Sequence, residues 1–286
     1  MNTKRKILQN CQISGFADEI HADVDKQIET LKTLGISCVE FRSGNGINVA
    51  NYTIKQAEEL KRKFEHNQIQ VSAIGSPVGK MNIHDDMDVC MKQLRHIVDI
   101  AEVMDTKNIR MFSFYMPQQD DPSKHRDEVL KRMDKMVQYA ASRNVMLLHE
   151  NEKGIYGDIA QRCLDLMQNF YGDAFGCTFD FANFVECGQD TMEAYEMLES
   201  YITYVHVKDA LRKEETIVLP GEGDGRLKEI FLKLHEKGYH GFLSMEPHLV
   251  DFSGLQGLEQ DAKKRGRTDG EDAFAQAYRA LEQLLK

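Results

Sequence analysis

The sequence predicts a (β/α)8 barrel, and three observations carry that expectation. Eight short apolar runs alternate strictly with eight amphipathic stretches along 286 residues. The runs are bounded by polar residues, which reads as strands buried on both faces, as a parallel sheet covered by helices requires. Four consecutive runs, the fifth to the eighth, end in Glu150, Asp180, His206 and Glu246. In an open doubly wound sheet the chemistry would gather at one switch point, whereas in a barrel successive strand ends converge on one mouth.

The elements follow in order. Cys11–Phe16 reads as the first strand, and Asp23 and Asp25 open a helix whose apolar face is Val24, Ile28, Leu31 and Leu34, closed by Gly35. Ser37–Phe41 is the second strand; Glu40 and Arg42 at its end share a face because side chains alternate. A helix from about Ile54 to Asn67 leads to strand Ile69–Ile74 and a Gly75–Gly79 loop. A helix from Asp85 to Met104 precedes the fourth strand, Asn108–Phe114; a loop from Pro117 to Pro122 precedes a helix with Val129, Met133, Met136, Val137 and Ala140. The fifth strand is Val145-Met146-Leu147-Leu148-His149-Glu150, where a buried acid costs free energy unless it holds a cation. Helices at about Asp158 to Asn169 and Thr191 to Ser200 flank strand Phe175–Asp180 and lead to Ile202–His206. A long connection from Lys208 to Gly225, a helix with Leu227, Ile230, Phe231 and Leu234, and strand Phe242–Glu246 complete the barrel. A polar loop from about Asp251 to Gly270 and a helix from about Glu271 to Leu285 end a chain read as one domain over residues 1–286.

Composition narrows the function. Hydrophobic residues are 42% and charged residues 29%, which allows a sizeable core in a soluble globular protein. A formal net charge of -10 argues against a nucleic-acid partner, since phosphate binding needs a basic face. The six cysteines show no C-x-x-C pair and mostly sit in apolar segments, so they read as buried thiols suited to a reducing cytoplasm. The first ten residues lack the apolar core of a signal peptide, and no run reaches membrane-span length.

Three carboxylates and an imidazole at one mouth are a ligand set for one divalent ion: Mn²⁺, Mg²⁺, Co²⁺ or Zn²⁺. The stretches Leu148-His149-Glu150-Asn151-Glu152, Phe179-Asp180-Phe181-Ala182-Asn183, His206-Val207-Lys208-Asp209-Ala210, Pro220 to Gly225 and Gly241 to Leu249 resemble the sugar phosphate isomerase/epimerase family. This is the xylose-isomerase-like barrel group that also contains ketose 3-epimerases, and Gly15–Ile20 resembles its first strand. The resemblance implies one metal on Glu150, Asp180, His206 and Glu246, with Glu150 and Glu246 also the acid/base pair acting on a small-molecule sugar. A cation beside a carbonyl stabilises the enolate that forms when a neighbouring carbon loses its proton. Returning the proton to the opposite face epimerises; returning it to the adjacent carbon isomerises.

Four further residues are candidate substrate contacts. Arg212 stands where the resemblance puts a substrate-binding arginine, and Lys208 shares a strand face with His206. Asn183 occupies a position where many relatives carry His, and Glu40, with Arg42, can reach a sugar's far end. His149 should point away from the site as a packed residue, and the Gly221–Gly225 loop before a helix can cradle a phosphate. The alternative activity is a keto-polyol (inosose-type) dehydratase, which uses the same enolate chemistry; a non-catalytic sugar-binding barrel would have shed a ligand. A nuclease of this barrel type would need extra histidines at strand ends three and four, where Ser76-Pro77-Val78 and Phe114-Tyr115-Met116 stand. Barrels of this kind often form homo-oligomers, but no interface stripe stands out.

Overall fold

The computed structural model describes residues 7–251 and 269–286. Eight strands form one sheet: β1 (Gln12–Gly15), β2 (Cys38–Phe41), β3 (Gln70–Ile74), β4 (Asn108–Met111), β5 (Met146–Glu150), β6 (Phe175–Asp180), β7 (Ile202–Val207) and β8 (Phe242–Met245). Their order is β1-β8-β7-β6-β5-β4-β3-β2, neighbouring strands in that order pair in parallel, and β1 lies against β2. The sheet is therefore a nearly closed barrel, as the alternation of elements predicts.

Around it run α1 (Val24–Leu34), α2 (Ile54–His66), α3 (Met87–Val103), α4 (Arg126–Ser142), α5 (Ala160–Phe170), α6 (Thr191–Leu198), α7 (Leu227–Glu236) and α8 (Gly270–Leu284). Local chemistry fixes their ends. Asp23 caps α1 by accepting from Asp25 N–H, and Gly35 closes it in the left-handed region at φ 72°. Thr53 and Gln56 make a reciprocal capping box on α2. The apolar faces of these helices pack against the outward side chains of the strands in one large core that includes Val39, Phe41, Leu94, Ile97, Leu147, Phe179, Val205 and Phe231. Burying side chains of this size supplies about 1.5–3 kcal/mol each.

Three departures from the sequence reading have local causes. The fourth strand leaves the barrel at Met111 rather than at Phe114, because Phe112 and Phe114 donate to the carbonyls of Val78 and Gly79 instead. α5 starts at Ala160, because Ile159 before it is extended, at φ -118° and ψ 157°. A short helix, Phe181–Glu186, directly follows β6, capped by Asp180 itself. Most of the polar loop expected before the last helix lies outside the described residues. Among the described residues no helix is long and apolar enough to cross a membrane.

Candidate active site

The barrel brings Glu150, Asp180, His206 and Glu246 together, with a possible ligand atom of each within 4.8 Å of the others. All four are buried, at 2% exposure or less. β-Strand alternation puts them on the inward face of β5, β6 and β7 and just past β8. His206 Nδ1 lies 2.9 Å from Glu150 Oε1, 3.6 Å from Glu246 Oε2 and 3.9 Å from Asp180 Oδ2. The Phe16 ring stands edge-on to the imidazole at 5.2 Å.

One oxygen of each acid is anchored and the other is not. Glu246 Oε1 accepts from Arg42 at 2.7 Å, Glu150 Oε1 from the Asn183 amide at 3.3 Å, and Asp180 Oδ1 from Asn183 N–H at 2.8 Å. Glu150 Oε2, Asp180 Oδ2 and Glu246 Oε2 are buried without a hydrogen-bond donor. Buried acceptors left so are costly. Arg110 at 3.2 Å partly compensates Glu150 Oε2, while Asp180 Oδ2 and Glu246 Oε2 face His206 Nδ1. The three acids with the imidazole form the hard anionic set that a divalent cation satisfies. The residues present therefore fit a metal ion.

The field is strongly mixed. Burial opposes charge on Glu150, but His206 and Arg110 outweigh it and draw its carboxyl down to about 2. Burial, with Glu150 and Glu246 nearby, pushes Asp180 up to about 7 against the pull of Lys208. For Glu246 burial is overcome by Lys208, His248 and His206, which hold it well below the usual range. Lys208, itself buried, lies 3.7 Å from Asp180 and 3.8 Å from Glu246.

The other expected residues divide. Lys208 and Asn183 line the cleft above the four ligand candidates, together with Lys80, Arg110, Glu152 and His248. Arg212 does not reach it: the side chain is exposed and donates to the Gln189 carbonyl at 2.7 Å, at the edge of a hairpin formed by Asp209–Leu211 and Thr216–Val218. Glu40 is inside the barrel rather than at its mouth, bonded to His206 and Ser244. Its carboxylate is thus engaged with protein and not open to a sugar. His149 is packed as expected, accepting or donating at Nε2 with Ser113 Oγ at 2.9 Å, and burial lowers its pKa to about 3. The glycine loop is no phosphate cradle, because the Asp209 carboxylate already takes the N–H groups of Gly221, Gly223 and Gly225.

Sequence reading missed Arg110 and the roles of Asp18, Glu19 and His248. Arg42 binds Asp18, Glu19 and Glu246, and His248 lies 3.4 Å from Glu19 and 3.3 Å from Glu246. Arg110 had a signal, a lone cation between Ile109 and Met111 in an apolar run. Such a residue is buried only with partners, here Glu150 at 3.2 Å and Glu246 at 3.5 Å.

A parallel β/α barrel with a buried Glu/Asp/His/Glu cluster at its mouth defines the class of the protein. The chain belongs to the family described as xylose isomerase-like TIM barrel, whose model matches residues 28–284. Among solved structures it resembles D-allulose 3-epimerase from Methylomonas sp., at 13% identity and TM-score 0.75, with 98% of each chain covered. It also resembles the probable 3-DHS dehydratase AsbF involved in petrobactin synthesis from Bacillus anthracis, at 15% identity and TM-score 0.74, covering 94% of this chain and 98% of that one. A third is the IOLI protein with a binding zinc atom, at 13% identity and TM-score 0.75, covering 96% and 98%. At these identities the likeness is one of fold.

Proposed function

We propose that the protein is a divalent-metal-dependent isomerase or epimerase of a sugar or sugar phosphate, transferring a proton through an enediolate. The observation that carries this is the buried cluster of Glu150, Asp180, His206 and Glu246, a possible ligand atom of each within 4.8 Å of the others, with Asp180 Oδ2 and Glu246 Oε2 lacking a hydrogen-bond donor at 3.9 and 3.6 Å from His206 Nδ1. Glu150, Asp180, His206 and Glu246 would hold the ion. When bound, it would supply positive charge beside the substrate's carbonyl and hydroxyl oxygens, which lowers the cost of the enolate.

Glu150 and Glu246 come from strands separated by β6 and β7, so they can address a substrate carbon from two sides. One takes the proton next to the carbonyl and the other returns it. Arg42 holds one oxygen of Glu246 and Asn183 one oxygen of Glu150, which orients both carboxylates. The Asn183 amide and Lys208 ammonium at the cleft would bind substrate hydroxyls. The ketose epimerase among the structural neighbours supports this reading, and the zinc-bearing neighbour supports a metal. The free thiols of all six cysteines suit work in the cytoplasm.

One observation favours a second reading, the keto-polyol dehydratase. The buried Lys208 ammonium stands beside Glu246, so a proton donor for a departing hydroxyl lies on the same side as a base. Solvent exchange separates the readings. Ketoses, their phosphates and inososes would be incubated with Mn²⁺-loaded protein in D₂O, beside Glu246→Gln, and followed by proton NMR. Deuterium at a carbon next to the carbonyl in intact sugar, absent with Glu246→Gln, supports the epimerase or isomerase. Loss of water with formation of an enone supports the dehydratase, and no turnover of either kind by metal-loaded protein refutes both.

A further inference from the structure

We propose that Glu40 is a positioning residue, which fixes the ring of His206 from behind so that Nδ1 is the nitrogen presented to a divalent ion. The inference rests on the metal reading above. Glu40 is 1% exposed and sits on β2, where the pairing with β3 shifts register between Val39 and Glu40. Such an irregularity re-aims a side chain next to a site. Here it brings Oε2 and Oε1 to 3.1 and 3.3 Å from His206 Nε2.

Glu40 has no other charged use. Among the described residues its one ion-pair partner is His206, while Arg42, Arg110 and Lys208 pair with other acids. Ser244 donates to Oε2 at 2.7 Å, and the Tyr204 ring stands edge-on to the His206 imidazole at 5.8 Å. Tyr204 in turn is 2.9 Å from Ser72 Oγ, which is 2.6 Å from Ser14 Oγ. A layer of hydroxyls from β1, β3, β7 and β8 thus lies where a barrel interior is usually filled with branched apolar side chains.

The arrangement has a chemical consequence. A carboxylate behind Nε2 requires the proton to be there, because a lone pair facing an anion would be repelled. Without a cation the 2.9 Å contact with Glu150 calls for a proton on Nδ1 as well; with a cation in the space shared with Glu150, Asp180 and Glu246, Nδ1 is the nitrogen whose lone pair would face it. The negative charge behind the ring also makes Nδ1 a stronger donor. Outer partners of this kind change metal affinity by about 10–100-fold. Glu40 therefore acts through His206 and not on a substrate.

The test is a calorimetric titration of Mn²⁺ into metal-stripped wild type, Glu40→Gln and Ser244→Ala, with proton NMR of the His206 ring N–H in Zn²⁺-loaded protein. Glu40→Gln should weaken Mn²⁺ by about 10–100-fold and move the ring proton upfield, while the metal-free variant keeps a native near-ultraviolet circular dichroism spectrum. Ser244→Ala leaves the charge of Glu40 intact but removes a competing donor. It should keep affinity near wild type and move the ring proton downfield. Unchanged Mn²⁺ affinity in folded Glu40→Gln overturns the proposal. Should Glu40→Gln fail to fold, an unmoved ring proton in Ser244→Ala overturns it equally. Wild type that binds neither Mn²⁺ nor Zn²⁺ refutes the metal reading, and this inference with it; wild type that binds while Glu40→Gln binds as well refutes this inference alone.

Discussion

Replacing Arg42 by Met should cost about 4 kcal/mol of stability at neutral pH. The guanidinium is buried and bonds Asp18 at 2.9 and 3.1 Å, Glu19 at 3.1 Å and Glu246 at 2.7 Å. Met can keep the hydrocarbon packing over the Phe16 ring, which the guanidinium stacks on at 4.3 Å. It cannot keep the charge. Removing one partner of a buried ion pair costs about 3–5 kcal/mol because the remaining charge is left uncompensated. Three acids lose a partner here, but Ser43 still serves Asp18, and His248 still serves Glu19 and Glu246, so the middle of the range is expected. Against a total of about 5–15 kcal/mol the loss would be plain in urea denaturation of metal-free protein.

The pH dependence supplies a second check on Arg42. Burial already raises the Glu19 carboxyl, and His248 and Arg42 restrain it; without Arg42 it rises further. A raised carboxyl pKa means that the charged form is the costly one. The deficit is therefore full above the folded pKa and shrinks as pH falls and the acid takes up a proton. Urea curves at pH 8 and pH 5 should show a smaller difference between variant and wild type at pH 5. A difference below about 1 kcal/mol at pH 8, or one that does not change with pH, would refute the reasoning.

Three more outcomes are expected. Asp209→Ala should cost about 2–4 kcal/mol, because the Gly225 and Ala210 N–H groups lose a buried acceptor while those of Gly221 and Gly223 can turn to water; urea denaturation checks this, and a change under about 0.5 kcal/mol would contradict it. Asp165 is anchored by Arg126 and the Tyr156 hydroxyl, which hold its pKa below the usual 3.8 although burial opposes them. Its contribution is present above the unfolded pKa and lost as pH falls through the folded one, so the melting-temperature gap between wild type and Asp165→Asn should close in strong acid. A gap that persists at pH 2 would argue against it. All six thiols are free, and burial pushes those of the half-buried Cys11 and Cys187 up to about 12. A thiol-reactive dye should label the native protein slowly and the denatured protein at six sites; rapid labelling of more than Cys11 and Cys187 would be inconsistent with this packing.

Much of the fold was legible because it rests on short-range pattern. Apolar runs such as Phe175–Asp180 and amphipathic helices such as α2 declare themselves by period, and Asp23, Thr53 and Gly35 mark helix ends through bonds to their own neighbours. The four metal-ligand candidates were legible for a related reason, since a charged residue at the end of a buried strand is conspicuous without any knowledge of its partners. Arg212 and Glu40 were expected as substrate contacts, but the structure holds their side chains outside the cleft. Arg212 sits in a hairpin whose local bonds carry it to Gln189, and Glu40 lies at a register shift that alternation alone does not foresee.

The sequence by itself determined the alternation of eight strands and eight helices, the barrel that right-handed crossovers make of it, and the residues brought to its mouth. Only the tertiary structure decided what each charge answers to. Arg42 serves Glu246 across 204 positions, Glu40 serves His206 across 166, and Asp209 fills a glycine loop that looked ready for an anion. The physical reason is that backbone conformation follows from neighbours along the chain. The free energy of a buried charge, in contrast, depends on every group within a few ångströms in space, and those groups come from strands that meet only when the barrel closes.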